Sequence, residues 1–401
     1  MEILALLAAL MLGILTGVFT GLVPGVHVNL VSVLLVSFSA VLLTYTSPIV
    51  LAVFIIALAI THTFLDAIPS IYLGAPTDAE ALNVLPGHRL LLKGLGHNAI
   101  MYTVIGALGS LLLSLLLFPF FIFSMGKLSP IVSIIVGYLL IGVMAYMILK
   151  DKGKQLKALV VFLLSGALGL LVFSIPNLKQ PLFPLLSGLF GLSILIESLR
   201  QKSVIPKQKT APLTLSKKNL AKSVSAASGM GFVAAFLPGF GSGQAAIIAT
   251  NAVGDIGDEG FLTMVGGLNT ANVLISVAAA YVLDKARNGA IVAVNELIGG
   301  VGFQEMLLFV GVSLVAGGAA ALLTIYLSKV FAKYIVKVNY TKLLLGIIIF
   351  ITLLTLYFDG FIGLTILLTA TAIGLVTSSF GVGKNHLMGC LILPVILYFV
   401  L

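Results

Sequence analysis

Long apolar runs alternate with short polar punctuation along the whole chain. Runs at 3–22, 28–46, 48–66, 98–123, 130–149, 156–174 and 183–199 precede a polar stretch, and runs at 223–237, 242–253, 261–283, 304–328, 342–357, 360–378 and 385–401 follow it. About 20 consecutive apolar residues are the length of a helix that crosses a hydrocarbon core. The pattern predicts an all-α polytopic membrane protein with about seven membrane segments on each side of the polar stretch. The run at 242–253 is too short to span, and that at 28–46 is marginal. Both follow a Pro-Gly pair, Pro24-Gly25 and Pro238-Gly239. The first run reads as a membrane helix rather than a cleaved signal, because Met1-Glu2 offers no cationic start and no small-x-small site ends the run.

The two halves echo each other. Gly17-Val-Phe-Thr-Gly-Leu-Val-Pro24-Gly25 aligns without gaps on Gly231-Phe-Val-Ala-Ala-Phe-Leu-Pro238-Gly239 at an offset of 214. A weaker echo pairs Phe190-Gly191-Leu192 with Phe380-Gly381-Val382, each expected before the last helix of its half. An odd number of segments per half would bring the second copy into the membrane the other way up. Inverted-topology repeats with helices broken at matching places are a mark of secondary transporters. The expected organisation is an N-terminal membrane repeat at 1–200, a basic cytoplasmic linker at 201–222 and an inverted C-terminal repeat at 223–401.

Composition narrows the class. Only 9% of the 401 residues are charged and 60% are apolar; a soluble domain carries about 25% charged residues. A soluble enzyme, a disordered chain and a nucleic-acid binder are excluded. The net charge of +9 resides in short loops, and seven basic residues fall within 200–222. Counting loops alternately from there puts eighteen Lys and Arg inside and four (Lys127, Lys179, Lys285 and Arg287) outside. That bias orients the chain with both termini outside the cytoplasm. With no Trp, any interfacial belt rests on 11 Tyr and 24 Phe. The single cysteine, Cys390, excludes an internal disulfide.

Candidate chemistry gathers at the Pro-Gly breaks. Proline removes an amide hydrogen and glycine permits a sharp reversal. A break within the membrane is tolerated only where protein or a water-filled cavity satisfies the freed backbone. His27 and Asn29 follow the first break; Gly241, Ser242, Gly243 and Gln244 follow the second. Each break can start a half-helix whose free amides favour an anion. Packing kinks are the plain alternative for either break alone. His62 and Asp66 stand four apart on one helix face, a candidate for proton or sodium coupling, with a solvated Asp66 at the interface as the alternative. Thr77-x-x-Glu80 fits a capping box, opening a helix to about Leu92 that is expected to break at Pro86-Gly87. Asn269, Thr270 and Asn272 lie in an otherwise apolar run, where amides need partners. They can contact a substrate or an ion, or cross-link helices. Asp255, Asp258 and Glu259 read as a solvated cytoplasmic turn, since an aspartyl-protease site needs a second aspartate on a facing helix. The five histidines have no metal-ligand spacing, and no phosphate-binding Gly-rich loop is present.

With these residues in view, the chain resembles the large membrane subunit of the tripartite tricarboxylate transporter family, in its shorter, archaeal-type form. The resemblance rests on Gly17…Val23-Pro24-Gly25-Val26, on Leu237-Pro238-Gly239-Phe240-Gly241, and on Leu73-Gly74-Ala75-Pro76-Thr77…Leu85-Pro86-Gly87…Lys93-Gly94…Asn98-Ala99. It implies a secondary, ion-coupled uptake permease for an organic anion. The Pro-Gly pattern is also similar, more distantly, to that of polyprenyl-phosphate translocases. The expected site is Pro24, Gly25, His27, Asn29, Pro238, Gly239, Gly241, Ser242, Gly243 and Gln244, with Asn269, Thr270 and Asn272 beside it. Asp66 and His62 serve the coupling ion, Na+ or H+. No catalytic residue, resident metal or other cofactor is expected. The expected partners are a small organic anion or a lipid phosphate, and membrane lipid, with no nucleic acid. A homodimer, a small membrane subunit and an extracytoplasmic binding protein stay open.

Overall fold

The computed structural model describes residues 2–23, 28–73, 84–176, 178–200, 206–236, 242–284, 288–335 and 340–400. Among them the secondary structure is helical throughout. The first half holds α1 (Glu2–Leu22), α2 (Val28–Ser37), a short α3 (Ser39–Leu42), α4 (Pro48–Leu65), α5 (Ala67–Leu73), α6 (Val84–Leu92), α7 (Gly96–Leu116), α8 (Phe118–Lys150), α9 (Gln155–Ser174), α10 (Leu182–Leu186) and α11 (Ser193–Arg200). A turn of π-helix, Ser187–Leu192, joins the last two. The second half holds α12 (Lys217–Phe236), α13 (Ser242–Val253), α14 (Gly257–Leu283), α15 (Gly289–Ile298), α16 (Phe303–Ile335), α17 (Tyr340–Phe380) and, after a 3-10 turn at Lys384–Met388, α18 (Gly389–Val400). Seven of the described helices are long and apolar enough to cross a membrane. The chain is a multi-pass membrane protein.

The apolar runs mark the helices, and proline, glycine and polar caps set their ends. Pro48 and Pro119 fall in first turns, where a missing amide hydrogen breaks no intrahelical bond. The run at 98–123 therefore divides at Leu117, with Pro119 opening the next helix. Pro86 likewise falls in the first turn of α6, so the helix runs through Pro86-Gly87 instead of breaking there. The Thr77 and Glu80 pair lies outside the described residues. Asn288 caps α15 by accepting from the Ala290 amide at 3.0 Å. Gly360, with φ 60°, breaks α17 into two lengths, as the runs at 342–357 and 360–378 predict. Phe190-Gly191-Leu192 closes the π turn directly before α11, and Phe380-Gly381-Val382 leads from α17 to the 3-10 turn before α18, so each stands before the last helix of its half.

Helix contacts repeat across the halves. In each half the first long helix lies along the second, α1 on α4 and α12 on α14. The third then lies along the second of the other half, α7 on α14 and α16 on α4. Small residues allow these approaches, since helices in lipid associate by close van der Waals contact. Gly106 meets the Thr263 carbonyl, and Gly317 faces Leu111, Ile60 and Phe64. The outer helices repeat the exchange. Gly169 on α9 meets the Cys390 carbonyl on α18, and Gly374 on α17 meets the Leu189 carbonyl in the π turn. Two carboxylates follow the same scheme. Asp151, after α8, lies 2.8 Å from His386 Nε2 before α18; Asp359, inside α17, accepts from the amides of Lys179 and Gln180 at 2.7 and 3.0 Å before α10.

The basic stretch between the halves is extended over 206–216 and strapped to the first half. The Lys209 amide donates to Gly94 O at 2.8 Å, and Gln208 Oε1 accepts from the Gly96 amide at 2.9 Å. The Asn98 side chain donates to Ala211 O at 2.8 Å and accepts from the Ala211 amide at 3.1 Å. Tyr102 Oη accepts from the Thr214 amide at 3.1 Å. Lys93-Gly94 and Asn98-Ala99, quoted above for the family resemblance, sit where this strap is held.

Candidate functional site

α4 and α14 are the most buried of the long apolar helices, and they touch each other. A buried polar seam crosses their contact. Thr63 Oγ1 lies 2.9 Å from Thr270 Oγ1 and joins the two helices directly. Asn269 Nδ2 donates to Asp66 Oδ2 at 3.3 Å. The same oxygen is 3.9 Å from His62 Nε2, one helical turn back. His62 Nδ1 lies 3.1 Å from Thr20 Oγ1 on α1. Both His62 and Asp66 are buried, so the interfacial, solvated placement of Asp66 does not occur. Asp66 is the C-cap of α4, and its amide bonds to His62 O at 3.0 Å. An ionised carboxylate out of water, at the negative end of a helix, needs a positive companion.

The seam continues on the next face of α14. Asn272 Nδ2 donates to Ser242 Oγ at 3.4 Å, at the start of α13. Asn272 Oδ1 accepts from Ser276 Oγ at 3.3 Å. Asn269 and Asn272 are half-buried, so each keeps part of its amide accessible within the bundle. The structure thus brings Ser242, Asn269, Thr270 and Asn272 to one helix, α14, and carries His62 and Asp66 to it from α4. Gly243 is buried in the first turn of α13. Asn29 and Gln244 stand in the first turns of α2 and α13, with side chains outside the described set. Pro24, Gly25, His27, Pro238, Gly239 and Gly241 lie outside the described residues. Among the described residues no group of three or more His, Cys, Asp or Glu could hold a metal ion.

The aligned glycines set this geometry. A Cβ on Gly17 would lie 2.6 Å from Thr61 Cβ and 2.8 Å from Leu58 O, and one on Gly231 would lie 2.8 Å from Ala271 Cβ and 3.1 Å from the Asn272 amide. Each glycine lets the first helix of its half lie on the second beside the polar residues. Thr20, Thr63 and Ser276 complete the seam, and the sequence did not single them out. Hydroxyls in apolar helices routinely bond back to their own turn, so nothing in the local pattern distinguishes these three.

Asp255 stands in the turn before α14, while Asp258 and Glu259 fall in the first turn of that helix. Asp255 Oδ1 accepts from the Gly257 amide at 3.0 Å, and Asp258 pairs with Arg89 at 2.6 Å.

The family described as the tripartite tricarboxylate transporter TctA family matches residues 7–389. An uncharacterized protein of Methanocaldococcus jannaschii is 30% identical over 355 residues, covering 86% of this chain and 88% of that one. No solved structure matches. A match from the first membrane helix to the start of the last one, on a polytopic helical chain, places this protein in the tripartite tricarboxylate transporter TctA family.

Proposed function

We propose that the chain is a secondary active permease for an organic anion of the carboxylate class, working by alternating access and coupled to H+ or Na+. The observation that carries the reading is the buried seam from Thr20 through His62 and Asp66 to Asn269, and onward through Asn272 to Ser242. It places an ionisable pair and two amides at the contact of the two innermost helices. Ser242 and Asn272 are neutral and meet where the first turn of α13 touches α14, and the amides of a helical first turn favour a carboxylate. Asp66 and His62 hold charge that a proton or sodium ion can compensate. The aligned Gly17 and Gly231 contacts and the reciprocal exchange of helices support two copies entering the membrane in opposite senses, the architecture suited to rocking around a shared site. The family name points to carboxylate cargo and to partner subunits, and both belong to this proposal.

Reconstituted protein in vesicles is expected to accumulate radiolabelled citrate or succinate only when a proton or sodium gradient is imposed. Asp66→Asn is expected to abolish accumulation while preserving the folded protein. Accumulation without any gradient, or unchanged coupling in Asp66→Asn, would overturn the assignment of the coupling pair. Stabilisation of purified protein by polyprenyl phosphates and by no carboxylate would replace the cargo.

A further inference from the structure

A cavity of about 710 Å³ opens away from the seam, between the two halves. That volume lies within the ~300–1,000 Å³ range of small-molecule sites. Its floor is apolar, with Met147, Phe190, Ile194 and Ile247 all buried. Its rim is charged, and Arg89 and Lys150 there are exposed. One wall is a single face of α13, where Ile247, Thr250 and Asn251 recur at helical spacing, with Gly254 just past its end. The other end of α13 is Ser242, which touches Asn272. The helix therefore runs from the cavity to the seam, with Ile247 and Ser242 about 8 Å apart along it at ~1.5 Å per residue.

The charges on the rim are largely answered by one another. Arg89 pairs with Asp258 at 2.6 Å, and Asp151 lies 2.8 Å from His386. Asp255 accepts a backbone amide at 3.0 Å. Lys384 differs. Its side chain is only 10% exposed, its Nζ donates to Ser193 Oγ at 3.0 Å, and the Glu197 carboxylate stands off at 3.8 Å. One hydroxyl and a carboxylate beyond hydrogen-bonding distance are little for an ammonium removed from water. Lys384 belongs to the second half, while Ser193 and Glu197 belong to the first, so the ammonium stands across the contact of the halves. Arg89, Lys150 and Lys384 all fall in the set of basic residues that the positive-inside bias assigns to the cytoplasm.

We propose that this cavity is a cytoplasm-facing vestibule of the transport route, in which the carboxylate docks on the Lys384 ammonium on its way along α13. The proposal rests on the permease reading above. The anion supplies the acceptors that Ser193 leaves wanting, and the exposed cations at the rim draw it in.

The chain's one cysteine, Cys390, is buried, so a new thiol is read against a quiet background. In the Thr250→Cys variant, a membrane-impermeant thiol reagent is expected to label the protein from the cytoplasmic face only, and citrate is expected to slow the labelling. Lys384→Gln is expected to raise half-saturating citrate on the cytoplasmic face about tenfold, the loss of one charged hydrogen bond. That shift should exceed the one on the outer face severalfold, as read by counterflow in inverted and right-side-out vesicles, and Lys384→Arg should recover most of it. Labelling from the outer face, labelling unaffected by citrate, or an equal shift on both faces would overturn the vestibule while leaving the permease reading intact. Failure of the unmodified chain to move any carboxylate would overturn the permease reading itself, whatever the thiol labels.

Discussion

The α1–α4 and α12–α14 pairs share one scaffold and differ in chemistry. Gly17 seats α1 on Thr61, and Gly231 seats α12 on Ala271. That register sets His62 opposite Asn272 in the two copies, and Asp66 opposite Ser276. Each pair is four residues apart and in side-chain proximity, 3.9 Å in the first copy and 3.3 Å in the second. One copy thus carries an ionisable pair and the other a neutral amide and hydroxyl, at matching places beside matching glycines. A common ancestor can supply the helix contact twice, but coupling and cargo recognition need different chemistry. A proton is held by groups that change charge, whereas neutral donors can orient a carboxylate beside them without adding a further buried charge.

Converting one copy into the other gives the largest expected effect. His62→Asn with Asp66→Ser should make the first copy neutral like the second, and gradient-driven accumulation should disappear. The double exchange removes both members of the pair at once and so leaves no lone buried charge; thermal unfolding checks that the variant stays folded, and facilitated exchange of labelled cargo should persist. Retention of gradient dependence in that variant would break the comparison. Next come the glycines. Gly17→Leu and Gly231→Leu each force a side chain into a facing helix, and each should destabilise by about 3 kcal/mol or more. Similar losses in thermal unfolding for the two would sharpen the equivalence; a large loss in only one would argue against it. Asn272→Ala should weaken cargo affinity by about threefold to tenfold, the scale of a neutral hydrogen bond, with an unchanged requirement for the gradient. Isothermal or thermal-shift titration with citrate reads the first and vesicle uptake the second. The smallest effect is expected from Asp359→Asn at the outer exchange, about 1 kcal/mol of stability with transport preserved, read by thermal unfolding beside uptake.

Much of the fold is legible in the chain itself. The apolar runs mark nearly every long helix, and the short run at 242–253 coincides with α13 residue for residue. The gapless alignment of Gly17 with Gly231 marks equivalent contacts. Helix ends were harder to read where proline could either stop or start a helix, as at Pro86 and Pro119, because the residue tolerates a first turn that it forbids in an interior. α15 was missed, since ten residues with Asn295 and Glu296 do not make a membrane-length run. Within the site, Asp66, His62, Asn269 and Asn272 stood out as polar residues among apolar neighbours. Their partners Thr20, Thr63 and Ser276 did not, and neither did the Asp151–His386 and Asp359 contacts, which join residues about 180 to 235 positions apart.

The amino-acid order alone determined that this protein lives in a membrane and that a segment running from glycine to Pro-Gly recurs in its second half. These follow from transfer of apolar side chains into hydrocarbon and from a gapless match of residue types. Tertiary structure decided that α7 and α16 cross over to the other half, that Asp66 is buried against Asn269, and that Lys384 stands at the wall of a cavity. Those outcomes depend on which small residues let which helices approach, and a contact between distant segments leaves no trace in the spacing of either.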